Sequence, residues 1–122
     1  MGRVGRDDLR RGQIHWAWLD PTVGSEQAGR RPVVIVACND LLVGPTALCV
    51  PLTSRVSERV PAFAVSLPAS RTGLDRDSLA LCHQIRAFSI GRLIRQVGIC
   101  APDDMRAIDV TLLYVLGLED AA

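Results

Sequence analysis

Residues 31–38 read Arg-Pro-Val-Val-Ile-Val-Ala-Cys, and this short apolar run decides the fold class. Its β-branched side chains and its short length favour a strand that is buried on both faces. Pro32 fixes the backbone dihedral φ where the strand begins. We therefore expect residues 33–38 to form a central strand of a β-rich domain, with Arg31 held at its N-terminal end.

The flanking segments carry further strand patterns. Apolar side chains alternate at residues 14–18, and Asp20 and Pro21 end that strand. Residues 71–77, around Gly73, are predicted to form a turn. Within residues 79–88, alternation places Leu79, Leu81 and Ile85 inward, together with Ala87, and it gives His83 the same inward parity. The remaining strands are predicted at 46–52, 62–67, 79–88 and 93–100.

The C-terminal segment changes to a helical period. Pro102 suits the first helical turn, and Asp103 and Asp104 favour the positive end of a helix dipole. Apolar residues then recur at helical spacing as far as Leu116, and Gly117 marks the end. Short strands with one terminal helix predict a mainly β domain, a small and partly open barrel capped by the helix. We assign residues 1–122 to this single domain and residues 1–10 to a flexible arm.

Composition excludes several classes of function. The chain has 122 residues, 48% of them apolar, and a net charge of +1, which argues against a large diffuse basic surface. Two Trp, two Phe and one Tyr are too few for a repeated base-stacking platform. All basic side chains are Arg, so chemistry that needs a lysine nucleophile is excluded.

Cysteine and histidine usage predicts no metal site and no cofactor. The spacing of Cys38, Cys49, Cys82 and Cys100 matches no metal-binding motif, and we interpret these residues as reduced core side chains. The N-terminus lacks the apolar stretch of a signal peptide, and the longest apolar run is too short to span a bilayer. A cytoplasmic protein without a membrane segment is expected.

Three clusters carry residue types suited to phosphate chemistry. Residues 24–32 contain Glu26 and Gln27 between two glycines and Arg31 directly before Pro32, although an ordinary hairpin loop would have a similar composition. Thr53 and Ser54 end a predicted strand, where hydroxyls either form a turn or bind a phosphate oxygen. The third cluster, residues 83–86, contains His83, Gln84 and Arg86. A single His on an apolar face is more often a core residue than a base.

These clusters resemble the MazF/PemK toxins of bacterial toxin–antitoxin systems. The resemblance covers residues 10–117 and rests on Arg-Gly-Gln-Ile at 11–14, Asp-Pro-Thr-Val-Gly-Ser-Glu-Gln-Ala-Gly-Arg-Arg-Pro-Val at 20–33, Val-Pro-Leu-Thr at 50–53, Asp-Arg-Asp-Ser at 75–78 and Cys-His-Gln-Ile-Arg at 82–86. It implies an SH3-like barrel with a C-terminal helix, a homodimer, and metal-independent, sequence-specific cleavage of single-stranded mRNA. The ribose 2′-oxygen attacks the adjacent phosphate and leaves a 2′,3′-cyclic phosphate and a 5′-hydroxyl.

The resemblance also implies roles for individual residues. Arg31 and Thr53 correspond to catalytic positions, and Glu26 is implicated with them. Gln84 corresponds to a position that contacts RNA. The complete set of candidate RNA-binding residues is Gln27, Ser54, His83, Gln84 and Arg86. A small MazE-like antitoxin is the expected protein partner.

One position departs from the family pattern. Several members carry an acidic residue directly before the Gln that corresponds to Gln84, and this chain has His83 there. The general base is therefore either Glu26 or His83. Two other functions remain open for the same fold, a non-enzymatic toxin that poisons DNA gyrase and a catalytically inactive interaction module.

Overall fold

The computed structural model describes residues 8–20, 24 and 29–119. The described residues form a mainly β fold with a long C-terminal helix, as predicted. The strands and helices are β1 (Gln13–Trp18), β2 (Arg30–Ile35), β3 (Thr46–Thr53), β4 (Ala64–Leu67), α1 (Ala69–Thr72), β5 (Ser78–Leu81), β6 (Arg86–Ser89), β7 (Leu93–Ile99) and α2 (Pro102–Val115).

The strands form one antiparallel sheet in the order β4-β5-β3-β2-β1-β7. One edge of the long strand β3 pairs with β2, and the other edge pairs with two strands, β6 along its first half and β5 at its last two residues. Within the described residues the path ends at β4 and β7 without closing, which confirms the predicted partly open barrel. Helix α2 packs against the β4 end.

The central strand is buried on both faces, as predicted. Every residue from 33 to 37 is buried. On one face, Val34 packs in a cluster that includes Met105 and Ile108 of α2. On the other face, Val33 and Ile35 pack in a second cluster. This cluster includes Leu9, a fully buried residue of the segment that the sequence assigned to a flexible arm. Residues 1–7 lie outside the described residues.

The prediction of one continuous strand over residues 79–88 is wrong. The chain leaves β5 at Leu81, makes a 3₁₀ turn at Cys82–Gln84, and enters β6 at Arg86. A 3₁₀ turn repeats every three residues, so the two-residue parity does not carry across it. As a result His83 is exposed and not inward, and Ala87 is exposed while Phe88 is fully buried.

Two smaller predictions also need correction. The alternation in β1 does not separate a buried face from an exposed one, because Ile14 packs in the first cluster and His15, opposite Val33, lies on the face of the second, so both are buried. The expected turn at 71–77 begins inside α1, which ends at Gly73 in the left-handed conformation, with φ of 84°.

Helix α2 begins at Pro102 and carries Asp103 and Asp104 in its first turn, as predicted. Asp104 accepts two hydrogen bonds from the guanidinium of Arg71, at 3.2 Å and 3.0 Å. This pair ties α1 to the start of α2. Among the described helices, none combines the length and apolar composition needed to cross a membrane.

Gly98 of β7 allows the backbone of α1 to approach closely. A Cβ atom at residue 98 would lie 2.1 Å from the carbonyl oxygen of Thr72, whereas a Cβ at Gly44 would have its nearest neighbour at 3.9 Å. The contact at Thr72 is with backbone, which a side-chain rotation cannot relieve. The close approach therefore requires glycine at position 98.

We predict that Gly98→Ala lowers the free energy of unfolding by about 1–3 kcal/mol, the usual cost of overpacking, because α1 must shift. Gly44→Ala, the matched control, should change it by much less. Thermal and urea denaturation of both variants measure the difference. Equal stability of Gly98→Ala and wild type would contradict the close packing of β7 on α1.

Candidate functional site

The start of β2 and the end of β3 bring together two candidate residues. In this antiparallel pair Val33 lies opposite Pro51. Continuing the register by two residues places Arg31 across from Thr53, the last residue of β3. Side chains two residues apart project from the same face of a strand, so Arg31 and Thr53 share the face of Val33 and Pro51. The extended register therefore puts an arginine and a threonine on one face at the same end of the buried strand pair.

Thr53 is held in a defined environment. Its side chain is only 7% exposed. Its Oγ1 accepts a hydrogen bond from the backbone N–H of Arg55, at 3.2 Å. A hydroxyl that accepts one bond still has its own proton to donate. Ser54, the next residue, is exposed at the start of the following loop.

Arg86 projects from the same face as Arg31 and Thr53. It lies opposite Cys49 of β3, four residues before Thr53 and so on the same side of the sheet. Its guanidinium donates to the carbonyl oxygen of Leu19 at 3.3 Å and lies 4.5 Å from the ring centre of Phe88. Because Leu19 directly follows β1, the Arg86 side chain extends toward the loop that joins β1 to β2. The face thus carries two guanidinium groups beside one hydroxyl.

The loop between β1 and β2 contains Glu26 and Gln27, which lie outside the described residues. Its base is closed by two contacts. The N–H of Leu19 donates to the carbonyl oxygen of Gly29 at 2.8 Å, and the carboxylate of Asp20 accepts from the N–H of Gly29 at 3.1 Å. Gly29 has a φ of 76°, a conformation that favours glycine. These contacts fix where the loop leaves the sheet, next to Arg31.

His83 and Gln84 lie in the 3₁₀ turn, which packs against α2 and β4. The His83 ring centre is 3.9 Å from that of Phe63. Partial burial disfavours the charged imidazolium and lowers the pKa of His83 from its ordinary value of 6.5, so the ring is neutral at pH 7. Neither His83 nor Gln84 lines the cleft that Arg31 contacts. Thr53 does not line that cleft either.

A cleft of about 890 Å³ opens beside the strand ends. It lies mainly on the sheet face of Trp16, Pro32 and Leu52, opposite to the face of Thr53, and Arg31 and Ser54 contact it at its edge. Four arginines and one aspartate line it, which makes it electropositive. The lining residues are Trp16, Arg30, Arg31, Pro32, Leu52, Ser54, Gly73, Leu74, Asp75, Arg76, Ser78, Arg95, Gln96, Val97 and Gly98.

Four cleft residues have no local sequence signal that marks them as site candidates: Trp16, Arg30, Arg76 and Arg95. They come from separate segments, and only the sheet register and the α1–β5 connection bring them to one cleft. Trp16 lies opposite Arg95, and this pairing depends on the register shifts of β1 against β7. No short-range signal in the sequence indicates those shifts.

Within the described part of the chain, no group of three or more His, Cys, Asp or Glu side chains is placed to hold a metal ion. Burial raises the pKa values of the Cys49, Cys82 and Cys100 thiols to about 12, so these thiols stay protonated and are poor metal ligands. Cys38, which we expected in the core, is exposed. It directly follows the buried run and begins the connection to β3.

The chemistry that this arrangement supports is binding and stabilisation of a phosphate. A guanidinium offers a planar set of donors that match phosphate oxygens, and a nearby hydroxyl adds one more. Such donors stabilise charge that develops on phosphorus during transfer.

Comparisons with known proteins point in the same direction. Residues 10–116 match the family described as the PemK-like, MazF-like toxins of type II toxin–antitoxin systems. The Bacillus subtilis protein Endoribonuclease EndoA is 34% identical over 114 residues, which cover 92% of this chain and 97% of that protein.

Two solved structures show the same fold. MazF from Deinococcus radiodurans superposes with a TM-score of 0.77 at 26% identity, covering 89% of this chain and 96% of that one. A mycobacterial endoribonuclease in complex with its cognate antitoxin has a TM-score of 0.74 at 23% identity, covering 91% and 97%.

Proposed function

This chain belongs to the PemK-like, MazF-like toxin family, and we propose from that premise that it is a sequence-specific endoribonuclease that cleaves single-stranded mRNA. The observation that carries the proposal is the β2–β3 register, with Val33 opposite Pro51, which continued by two residues sets Arg31 across from Thr53 on one face of the sheet. The proposed reaction needs no metal ion, because the nucleophile is the 2′-hydroxyl of the substrate itself.

In the proposed reaction the 2′-oxygen forms a bond to phosphorus while the bond from phosphorus to the 5′-oxygen breaks. The products are a 2′,3′-cyclic phosphate and a 5′-hydroxyl. Charge builds on the phosphate oxygens as the five-coordinate transition state forms, and Arg31 with the Thr53 hydroxyl stabilises that charge. The 2′-proton goes to a general base, and the departing 5′-oxygen takes a proton from solvent water.

Two residues are candidates for the general base. Glu26 lies in the loop whose base is fixed next to Arg31, and His83 takes the place of an acidic residue in the family pattern. The lowered pKa of His83 leaves the ring able to accept a proton at neutral pH. His83 lies on the 3₁₀ turn that packs against α2 and β4, whereas the loop of Glu26 starts next to Arg31, and this favours Glu26.

We further propose a homodimer that works in the cytoplasm, where its mRNA substrate is found. Supporting the dimer, large apolar side chains remain exposed on single copies of this small domain. Along α2 and the residues after it these are Val110, Tyr114, Leu116 and Leu118, and on the sheet Trp18, Leu48 and Ile99. A small antitoxin is the proposed inhibitor, since a mycobacterial endoribonuclease of the same fold is known in complex with its cognate antitoxin.

Arg31→Ala should reduce RNA cleavage by about two to four orders of magnitude while the protein stays folded, because the main stabiliser of phosphate charge is lost. Arg31→Lys should recover little activity, since an ammonium does not reproduce the planar donors. Thr53→Val, which keeps the shape, should also slow cleavage. Arg106→Ala on the exposed surface of α2 is the matched control. Rates within a few-fold of wild type for Arg31→Ala would reject the assignment.

A pH–rate series on wild type, Glu26→Gln and His83→Asn identifies the base. Because a base must be unprotonated, activity rises with pH through the pKa of that base. If Glu26 is the base, Glu26→Gln removes the acidic limb and His83→Asn keeps it. The reverse result assigns His83, with a limb below pH 6.5 because the pKa of that ring is lowered. If both variants keep the acidic limb, neither residue is the base.

Antitoxin and RNA should compete for the face that carries Arg31 and Arg86. An acidic antitoxin segment presents carboxylates where RNA presents phosphates, so complex formation should weaken as salt increases. Arg31→Ala and Arg86→Ala should each weaken binding of the antitoxin and of a labelled RNA with 2′-deoxyribose at the cut. Fluorescence anisotropy measures both. A ternary complex with uncut RNA and antitoxin at the same site would contradict the competition.

A further inference from the structure

Trp16 and Arg30 form a cation–π pair on the sheet face that bears the cleft. Trp16 lies opposite Pro32 of β2, and Arg30, two residues before Pro32, projects from the same face. Diagonal neighbours on adjacent strands are within reach of long and aromatic side chains. The Arg30 guanidinium accordingly lies over the Trp16 ring, 5.1 Å from its centre.

Arg95 completes this group from the other side. It lies opposite Trp16 on β7 and lines the same cleft. One aromatic ring is thus flanked by two guanidinium groups from neighbouring strands. No carboxylate is hydrogen-bonded to Arg30 or Arg95 among the contacts of the described residues. Arginines with a purely structural role would be paired with carboxylates, whereas Arg30 and Arg95 present positive charge to an open cleft.

The pair adjoins the proposed catalytic residues. Arg30 and Arg31 are consecutive, and both line the cleft, as does Ser54 directly after Thr53. The cleft and the face of Thr53 meet at these strand ends. A polynucleotide whose phosphate is held by Arg31 can therefore place a neighbouring nucleotide over Trp16 and Arg30.

The chemistry of the pair suits a nucleobase. A guanidinium that lies over an aromatic ring has its orientation fixed, with one face on the ring and the other toward the cleft. Unpaired bases in RNA stack on guanidinium planes and on aromatic side chains. Arg30 is exposed and Trp16 is half-buried, so the free face of the guanidinium is accessible while the ring that supports it is held in the sheet.

We propose that Trp16 and Arg30 form a stacking subsite for the base of a nucleotide next to the cleaved phosphate, with Arg95 beside it to bind an adjacent phosphate. The inference rests on the proposed endoribonuclease activity and adds a determinant of which base is accepted. It makes Arg30 a substrate-binding residue distinct in role from Arg31, its neighbour in the chain.

The test is a mutant cycle between the protein and its substrate. An RNA oligonucleotide with one cleavage site is prepared intact and with an abasic nucleotide at each flanking position in turn, and kcat/KM is measured for each. For wild type, kcat/KM should fall about tenfold when the abasic nucleotide stands at one particular position, which is the scale of one stacked base. Arg30→Ala and Trp16→Leu should cut the intact RNA about tenfold more slowly and show no further loss at that same position.

Two controls separate stacking from a general loss of function. Trp16→Phe retains an aromatic ring, so most of the fall in kcat/KM at the abasic position should remain. Arg106→Ala removes an exposed arginine on α2, outside the cleft, and should reproduce the wild-type profile at every position.

The outcomes distinguish this inference from the proposed function. If wild type cleaves RNA and Arg31→Ala does not, yet Arg30→Ala keeps the full abasic loss at every position, the stacking subsite is wrong and the proposed function stands. If wild type cleaves no RNA, both are wrong. If Arg30→Ala changes the mass of the dimer in analytical ultracentrifugation, the face is an interface between copies, and the subsite is overturned.

Discussion

Antiparallel pairing holds β2 against β3 from Val33–Pro51 to Ile35–Cys49, with β2 buried on both faces. This pairing fixes the register of the sheet, because a slip of one residue would exchange the apolar sets of its two faces. The same register sets Arg31 across from Thr53 and leaves both at the strand ends, where the sheet meets solvent. The rigidity that the proposed chemistry needs therefore comes from the core, and Arg31 is only two residues away from it.

The parts of the fold that the sequence predicts are those with local causes. The β-branched run after Pro32 predicts the buried strand, and Pro102 with two following aspartates predicts the start of α2. The 3₁₀ turn at Cys82–Gln84 has no such signal, since an alternation of apolar residues continues across it. Its position depends on contacts with β4 and α2, which are distant in sequence. The inward orientation predicted for His83 fails for this reason.

The site residues likewise divide into those that the sequence marks and those that it does not. Arg31, Thr53 and Arg86 are recognisable from residue types and resemblance, and the register supplies a physical reason for them to share a face. Glu26 and Gln27 stay predictions. The cleft arginines on the other face depend on the register shifts between β1 and β7, where β7 carries the extra residues, and on the pairing of strands far apart in the chain, so no local pattern marks them. An almost neutral chain thus concentrates positive charge in one cleft, which favours local recognition of RNA over general attraction.

The central claim is that the substrate supplies its own nucleophile while Arg31 and Thr53 stabilise the transition state. The most direct measurement incubates the purified protein in EDTA with an RNA oligonucleotide and with the same oligonucleotide carrying one 2′-deoxyribose at the cleaved position, followed by mass analysis of the product ends. The account predicts cleavage of the RNA to a 2′,3′-cyclic phosphate and a 5′-hydroxyl, and no cleavage at the 2′-deoxy position. Cleavage at the 2′-deoxy position, or an absolute requirement for a divalent metal ion, would contradict it.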